Sequence, residues 1–94
     1  MDKKEAKDIL AKELELYRNR SYADLLYLLN TQDTMEVTGS SGVVYQLEFH
    51  AVWDSKKGGN LRVIGEIDDV GWRAFFFPLT DDFIIAQDGS FIGE

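Results

Sequence analysis

The chain has 94 residues, of which 45% are hydrophobic and none is cysteine. This length accommodates one hydrophobic core, so a single domain over residues 1–94 is expected. The lack of cysteine excludes disulfides, thiolate metal sites and cysteine nucleophiles. The formal net charge of −7, from 17 acidic and 10 basic residues, argues against binding to nucleic acid or to an anionic membrane and suits a basic protein partner.

The N-terminal segment gives no sign of a targeting signal. Residues 1–17 lack the apolar run and the small-residue cleavage site of a signal peptide. No apolar stretch approaches the roughly 20 residues that a membrane-spanning helix needs. We therefore expect a cytoplasmic protein that does not contact a membrane.

The first third of the chain is predicted to form a helical arm. From Asp2 to about Arg18, apolar residues recur at helical spacing and form a single stripe. Ser21 and Asp24 have the pattern of a capping box, which predicts a short second helix over residues 23–29. A helix as short as the first is marginal alone in water, so its apolar stripe must be buried against another element.

From Thr34 onward the side chains alternate between apolar and polar, which predicts β-strands separated by short turns. Besides the segment that starts at Thr34, the expected strands are 43–54, 60–68, 72–77, 83–87 and 90–93. Short turns force sequential strands to pair antiparallel, so we predict a curled meander of about five to six strands. The helical arm is the element that can cover its apolar face, which gives an α+β fold similar in architecture to cystatins.

One face of the predicted sheet is strongly apolar and should lie under the helices. Its members are Tyr45, Leu47, Phe49, Trp53, Leu61, Val63, Ile67, Ala74 and Phe76. Gly65 lies on the same face without a side chain, and a neighbouring ring such as Phe76 is expected to fill the space beside it.

The opposite face, called here the second face, mixes apolar and charged side chains. We predict a binding surface there, formed by Glu48, His50, Val52, Arg62, Ile64, Glu66, Arg73, Phe75 and Phe77. The expected cross-strand pairs are His50 with Ile64, Glu48 with Glu66, and Asp68 with Arg73. A contiguous patch of exposed apolar groups usually marks an interface. The alternative is that residues 83–92 cover Phe75 and Phe77 as ordinary core.

Side chains able to carry out catalysis are few. His50 is the single histidine, and with Glu48 and Glu66 nearby it has the makings of a general base. The simpler interpretation is an interface histidine in a polar cluster. Two facing carboxylates can share a proton or hold a hard cation, unless Arg62 or Arg73 neutralises them. We predict no metal site and no cofactor, since the acidic doublets lack the spacing of a calcium loop.

These patterns favour a non-enzymatic module that binds a protein partner or associates with itself through the second face. The alternative hypothesis is a small-ligand-binding domain or minimal enzyme that uses His50, Glu48 and Glu66.

Overall fold

The computed structural model describes residues 2–69 and 78–94. The elements in chain order are α1 (Lys3–Arg18), α2 (Tyr22–Leu25), a 3₁₀ helix (Leu26–Leu29), β1 (Asp33–Thr38), β2 (Val44–Trp53), β3 (Leu61–Asp69) and β4 (Leu79–Ile85). The predicted α+β class with an antiparallel sheet is confirmed. No helix in these two ranges is both long and apolar enough to cross a membrane.

Each helix of the arm starts at an N-terminal capping residue. The Asp2 carboxylate accepts a hydrogen bond from the backbone N–H of Glu5 at 3.0 Å, which starts α1. Ser21 caps α2 in the same way, accepting from the N–H of Asp24 at 3.1 Å. The predicted second helix is in fact one α-helical turn followed by the 3₁₀ helix. Leu25 and Leu28 are the buried residues of this segment, and their spacing of three matches the 3₁₀ repeat.

The four strands pair in chain order, β1-β2-β3-β4, and each neighbouring pair is antiparallel. Gly42 and Gly89 take positive φ angles of 91° and 89° in the turns after β1 and β4, a conformation that glycine adopts without a steric penalty. Residues 90–93 contribute one isolated bridge, between Ile85 and Phe91, and no strand. The predicted strand 72–77 lies outside the described residues. The finer expectation of five to six strands and a cystatin-like architecture is therefore not confirmed.

The predicted inner face of the sheet forms the core. Tyr45, Leu47, Phe49, Leu61, Val63 and Ile67 are fully buried, and Trp53 is half-buried. Ala74 and Phe76 lie outside the described residues. The space at Gly65 is filled by the ring of Phe49 from β2 and by the tip of Leu10 from α1. The expected neighbour was Phe76, which lies outside the described residues, and these two were not predicted. Phe83 and Ile85 join this same core.

The helices do not cover the four strands equally. α1 packs on β3 and β4, and the 3₁₀ helix packs on β2. The inner side chains of β1, Met35 and Val37, remain half-buried at the margin of the core. The sheet thus has one strand whose inner face is incompletely covered.

Candidate functional site

The register of β2 and β3 brings together most of the predicted second-face residues. Glu48 lies opposite Glu66, His50 opposite Ile64, and Val52 opposite Arg62. The first two pairs were predicted from the turns and are confirmed. Asp68 lies opposite Gln46, and its predicted neighbour Arg73 is outside the described residues, as are Phe75 and Phe77.

One end of the second face is apolar. Val52 keeps 42% of its surface exposed, and Ile92 keeps 41%. Ile84 lies opposite Arg62, and its carbonyl accepts a hydrogen bond from the N–H of Ile92 at 2.9 Å. Sequence reasoning missed Ile84 and Ile92, although the pairing of residues on either side of the Asp88–Gly89 turn would have placed both on this face.

The other end of the second face is acidic. Glu48 and Glu66 face each other, and Glu36 of β1 lies opposite Gln46 in the adjacent row. A pocket of about 240 Å³ opens here. Its described lining residues are Gln46, Glu48, Glu66, Asp68 and Pro78. His50 is not among them, so the histidine and the two glutamates do not converge on one cavity.

Arg62 does not neutralise the two facing glutamates. Its guanidinium donates to Asp54 Oδ1 at 2.7 Å and also to the carboxylate of Asp82. These hydrogen bonds, with Asp54 first, hold the pKa of Arg62 above its ordinary value. Across residues 2–69 and 78–94, no hydrogen bond or ion pair is found for Glu48, Glu66 or Glu36. Their charges are therefore not compensated within that part of the protein.

The second face carries no recognisable catalytic arrangement in the described chain. No carboxylate there is hydrogen-bonded to His50, so the geometry of an oriented general base is lacking. No group of three or more metal-ligating side chains was found among the described residues. What the face offers chemically is negative charge beside exposed apolar surface.

A polar cluster that the sequence did not reveal ties the helical arm to the start of β1. The Asp33 carboxylate accepts hydrogen bonds from the hydroxyls of Tyr17 and Tyr27, both at 2.6 Å. Arg20 donates to the Tyr27 oxygen at 2.9 Å. Burial, followed by the hydrogen bond to Asp33, raises the pKa of Tyr17 and of Tyr27. The cluster is an anchor, since both tyrosines are committed to Asp33.

A second anchor joins the start of α1 to the turn after β1. Glu5 accepts from the Ser41 hydroxyl at 2.7 Å, from the Ser41 backbone N–H at 3.2 Å and from the Tyr45 hydroxyl at 3.0 Å. The Ser41 hydroxyl is the main cause of a lowered pKa at Glu5. Burial, with the bond to Glu5, raises the pKa of Tyr45 to about 12. A β-carbon at Gly39 would lie 2.0 Å from Glu5 Oε1, so a larger residue there would displace the Glu5 carboxylate from this anchor.

Comparison with known proteins assigns this chain to no family. No protein-family model, no curated protein and no solved structure matches it.

Proposed function

We propose that this chain is a cytoplasmic, non-enzymatic protein-binding module that recognises a basic partner through its second face. The observation that carries the proposal is the pair Glu48 and Glu66, which face each other without a compensating cation in the described chain. Like charges directly opposite in a sheet are destabilising. A cationic side chain supplied by a partner would remove that cost on binding.

The apolar end of the face supports a protein as the ligand. Val52, Ile84 and Ile92 lie beyond the His50–Ile64 pair from the acidic end. A mixture of apolar surface and charge on one face is typical of protein interfaces. Self-association through this face is less favoured, because a second copy brings the same carboxylates, and the Arg62 that it brings already pairs with Asp54 and Asp82. The composition without cysteine is consistent with the cytoplasm.

The test compares proteins captured from the native cell by three baits. The first is the wild-type chain, and the second is Glu48→Gln/Glu66→Gln. The third, Glu15→Gln/Asp24→Asn, removes the same two charges from exposed positions in the helical arm. The proposal expects a basic protein, identified by mass spectrometry, that the first and third baits retain and the second loses. Equal recovery by all three baits would contradict it.

A second candidate function is the binding of a small ligand that carries a positive charge. The pocket between Glu48, Glu66 and Asp68 favours it. It ranks second because His50 lies outside the pocket lining. A small cationic amine that raises the melting temperature of the wild type, but not that of Glu48→Gln/Glu66→Gln, would favour this function.

A further inference from the structure

The two edges of the described sheet differ in how their backbone groups are used. At the β4 edge, the N–H of Ile92 donates to the Ile84 carbonyl at 2.9 Å and the N–H of Ala86 donates to the Ser90 carbonyl at 2.8 Å. The C-terminal segment therefore covers part of β4. At the other edge, no described strand pairs with the outer side of β1. Among residues 2–69 and 78–94, β1 is therefore the more open edge.

Hydrogen-bond alternation identifies which groups β1 presents outward. The N–H of Gly39 donates to the Val43 carbonyl at 2.8 Å, so this pair belongs to the hydrogen-bonded class. Such pairs alternate along an antiparallel ladder, which assigns the backbone groups of Asp33, Met35 and Val37 to β2. The backbone N–H and C=O groups of the alternate residues, Thr34, Glu36 and Thr38, point away from the sheet. All three are exposed, and an open row of this kind is a template for another strand.

The inner side of this edge carries apolar side chains that the core covers incompletely, Met35 and Val37 of β1 and Ile9 of α1. Ile9 and Leu16 are seven residues apart and therefore lie on the same side of α1, and Leu16 is 56% exposed. Ile9 and Val37 form the apolar part of a groove of about 430 Å³ between α1 and the end of β1, whose rim is polar and includes Asp2, Lys4 and Asp8. A strand added to β1 would direct every second side chain toward this groove.

The second face beside the same edge suits basic side chains. Glu36 stands on the edge strand itself, and Glu48 and Glu66 follow in the neighbouring row of the second face. The remaining side chains of an added strand would lie on the second face, directly beside Glu36 and on the same side of the sheet as Glu48 and Glu66. Neighbouring strands lie about 4.8 Å apart, so a lysine or arginine on the added strand lies next to Glu36 and can extend toward Glu48 of β2, whereas Glu66 is one strand further away.

We propose that an extended segment of a basic partner, with alternating apolar and Lys or Arg residues, binds as a fifth strand along the outer edge of β1. This inference rests on the proposed function and specifies how the partner is held. Main-chain hydrogen bonds to Thr34, Glu36 and Thr38 give affinity, and the two sets of side chains give specificity. A second copy of this chain is a poorer occupant, because it brings another Glu36 and another acidic face to the same edge.

The experiment uses a capped peptide of about eight residues, a length that spans β1, with lysine and valine in alternation. One control peptide has the same composition with all lysines before all valines, and another alternates glutamate and valine. Amide hydrogen exchange in the protein is followed by NMR at each residue. We expect the Lys–Val peptide to slow exchange at Thr34, Glu36 and Thr38 about tenfold or more, and both control peptides to bind much more weakly.

Two variants separate this mode of binding from the proposed function. Thr34→Pro removes one outward N–H while keeping the charge, and Thr34→Val is its matched control with the N–H intact. We expect Thr34→Pro to weaken binding about tenfold and Thr34→Val to have little effect. Should the proline variant not fold, Glu36→Gln and the exchange pattern of the wild type still test the proposal.

Three results would overturn strand addition. One is binding that Glu48→Gln/Glu66→Gln weakens while the three edge amides keep exchanging, which would leave the proposed function standing. Another is equal binding of the alternating and block peptides. The third is that the free protein self-associates in sedimentation and shows slowed exchange at the same amides. A second copy of the chain would then occupy the edge of β1.

Discussion

At Gly65 the sheet and α1 approach so closely that a β-carbon has no room. A Cβ placed there would lie 2.8 Å from Phe49 Cε1 and 2.9 Å from Leu10 Cδ1. Both neighbours are buried, Phe49 at 0% and Leu10 at 2% exposure, so neither moves without disturbing the core. We expect Gly65→Ala to lower the free energy of unfolding by about 1–3 kcal/mol, measured by urea denaturation.

A double-mutant cycle identifies the cause of that loss. Leu10→Ala by itself should cost about 2–5 kcal/mol by leaving a cavity. In the Gly65→Ala background it should cost clearly less, because the added methyl group occupies part of the vacated space. Strictly additive losses would show that Leu10 is not the group with which the new methyl collides.

The hydroxyl of Tyr17 is a second residue whose contribution is separable from its packing. Its ring stacks on Phe49 with centroids 4.4 Å apart, and its hydroxyl donates to Asp33. Tyr17→Phe keeps the stacking and removes the donor, so we expect a loss of about 1–2 kcal/mol in urea denaturation. Tyr27 is 38% exposed. Tyr27→Phe is therefore the matched variant, and it should lower the free energy of unfolding by less. If Tyr27→Phe lowered the free energy of unfolding as much as Tyr17→Phe or more, the exposed hydrogen bond from Tyr27 to Asp33 would be the stronger contribution.

At the scale of elements, α1 is held to the turn after β1 by an ionised carboxylate, so this contact depends on pH. The pKa of Glu5 is lowered from its model-compound value of 4.5, chiefly by the Ser41 hydroxyl. A lowered folded-state pKa stabilises the fold above the unfolded value, and this contribution disappears as the pH falls through the folded pKa. Below about pH 4.5 the wild type should therefore lose stability that Glu5→Gln never had.

The measurement is urea denaturation of both proteins between neutral pH and about pH 3. The difference in unfolding free energy between wild type and Glu5→Gln should shrink toward the acid end. Glu15→Gln serves as the control, since Glu15 is an exposed residue of the same helix. A constant difference between wild type and Glu5→Gln would mean that Glu5 acts through its shape and not its charge.

Sequence predicted the elements that depend on neighbouring residues and missed those that depend on contacts between distant parts of the chain. The extent of α1 and the register of His50 with Ile64 were predictable, since both depend on spacing and on short turns. The split of α2 from the 3₁₀ helix was not, because the spacing of three residues between Leu25 and Leu28 fits both helix types. The Asp33 cluster joins residues up to 16 positions apart, and no pattern along the chain signals such a contact.

At the scale of the whole molecule, the candidate site was predictable only in part. Alternation alone placed Glu48, Glu66 and Val52 on one face, and this placement is confirmed by the register. The incomplete cover of the inner face of β1 was not predictable, because it depends on where α1 lies across the sheet. Sequence left open whether Arg62 or Arg73 neutralises the two glutamates, and the actual partners of Arg62, Asp54 and Asp82, reach it across the β2–β3–β4 pairing.

The net charge of −7 and the facing pair Glu48 and Glu66 predict that the stability of the fold depends on salt. Raising the ionic strength from about 0.01 M to 0.15 M shortens the Debye length from about 30 Å to about 8 Å. This screens the repulsion between Glu48, Glu66 and their acidic neighbours, so we expect the free energy of unfolding of the wild type to rise. The rise should be smaller in Glu48→Gln/Glu66→Gln, in which the facing charges are gone.

At low salt the same substitutions should act non-additively. Either Glu48→Gln or Glu66→Gln relieves the pair and should raise stability by roughly 0.2–1 kcal/mol. The second substitution then gains less than the first, because the pairwise repulsion has already been removed. Equal gains, or a double variant less stable than the wild type, would show that the facing glutamates do not repel each other in the free protein. The main physical support for a basic partner would then be lost, since no destabilising charge would remain for that partner to neutralise.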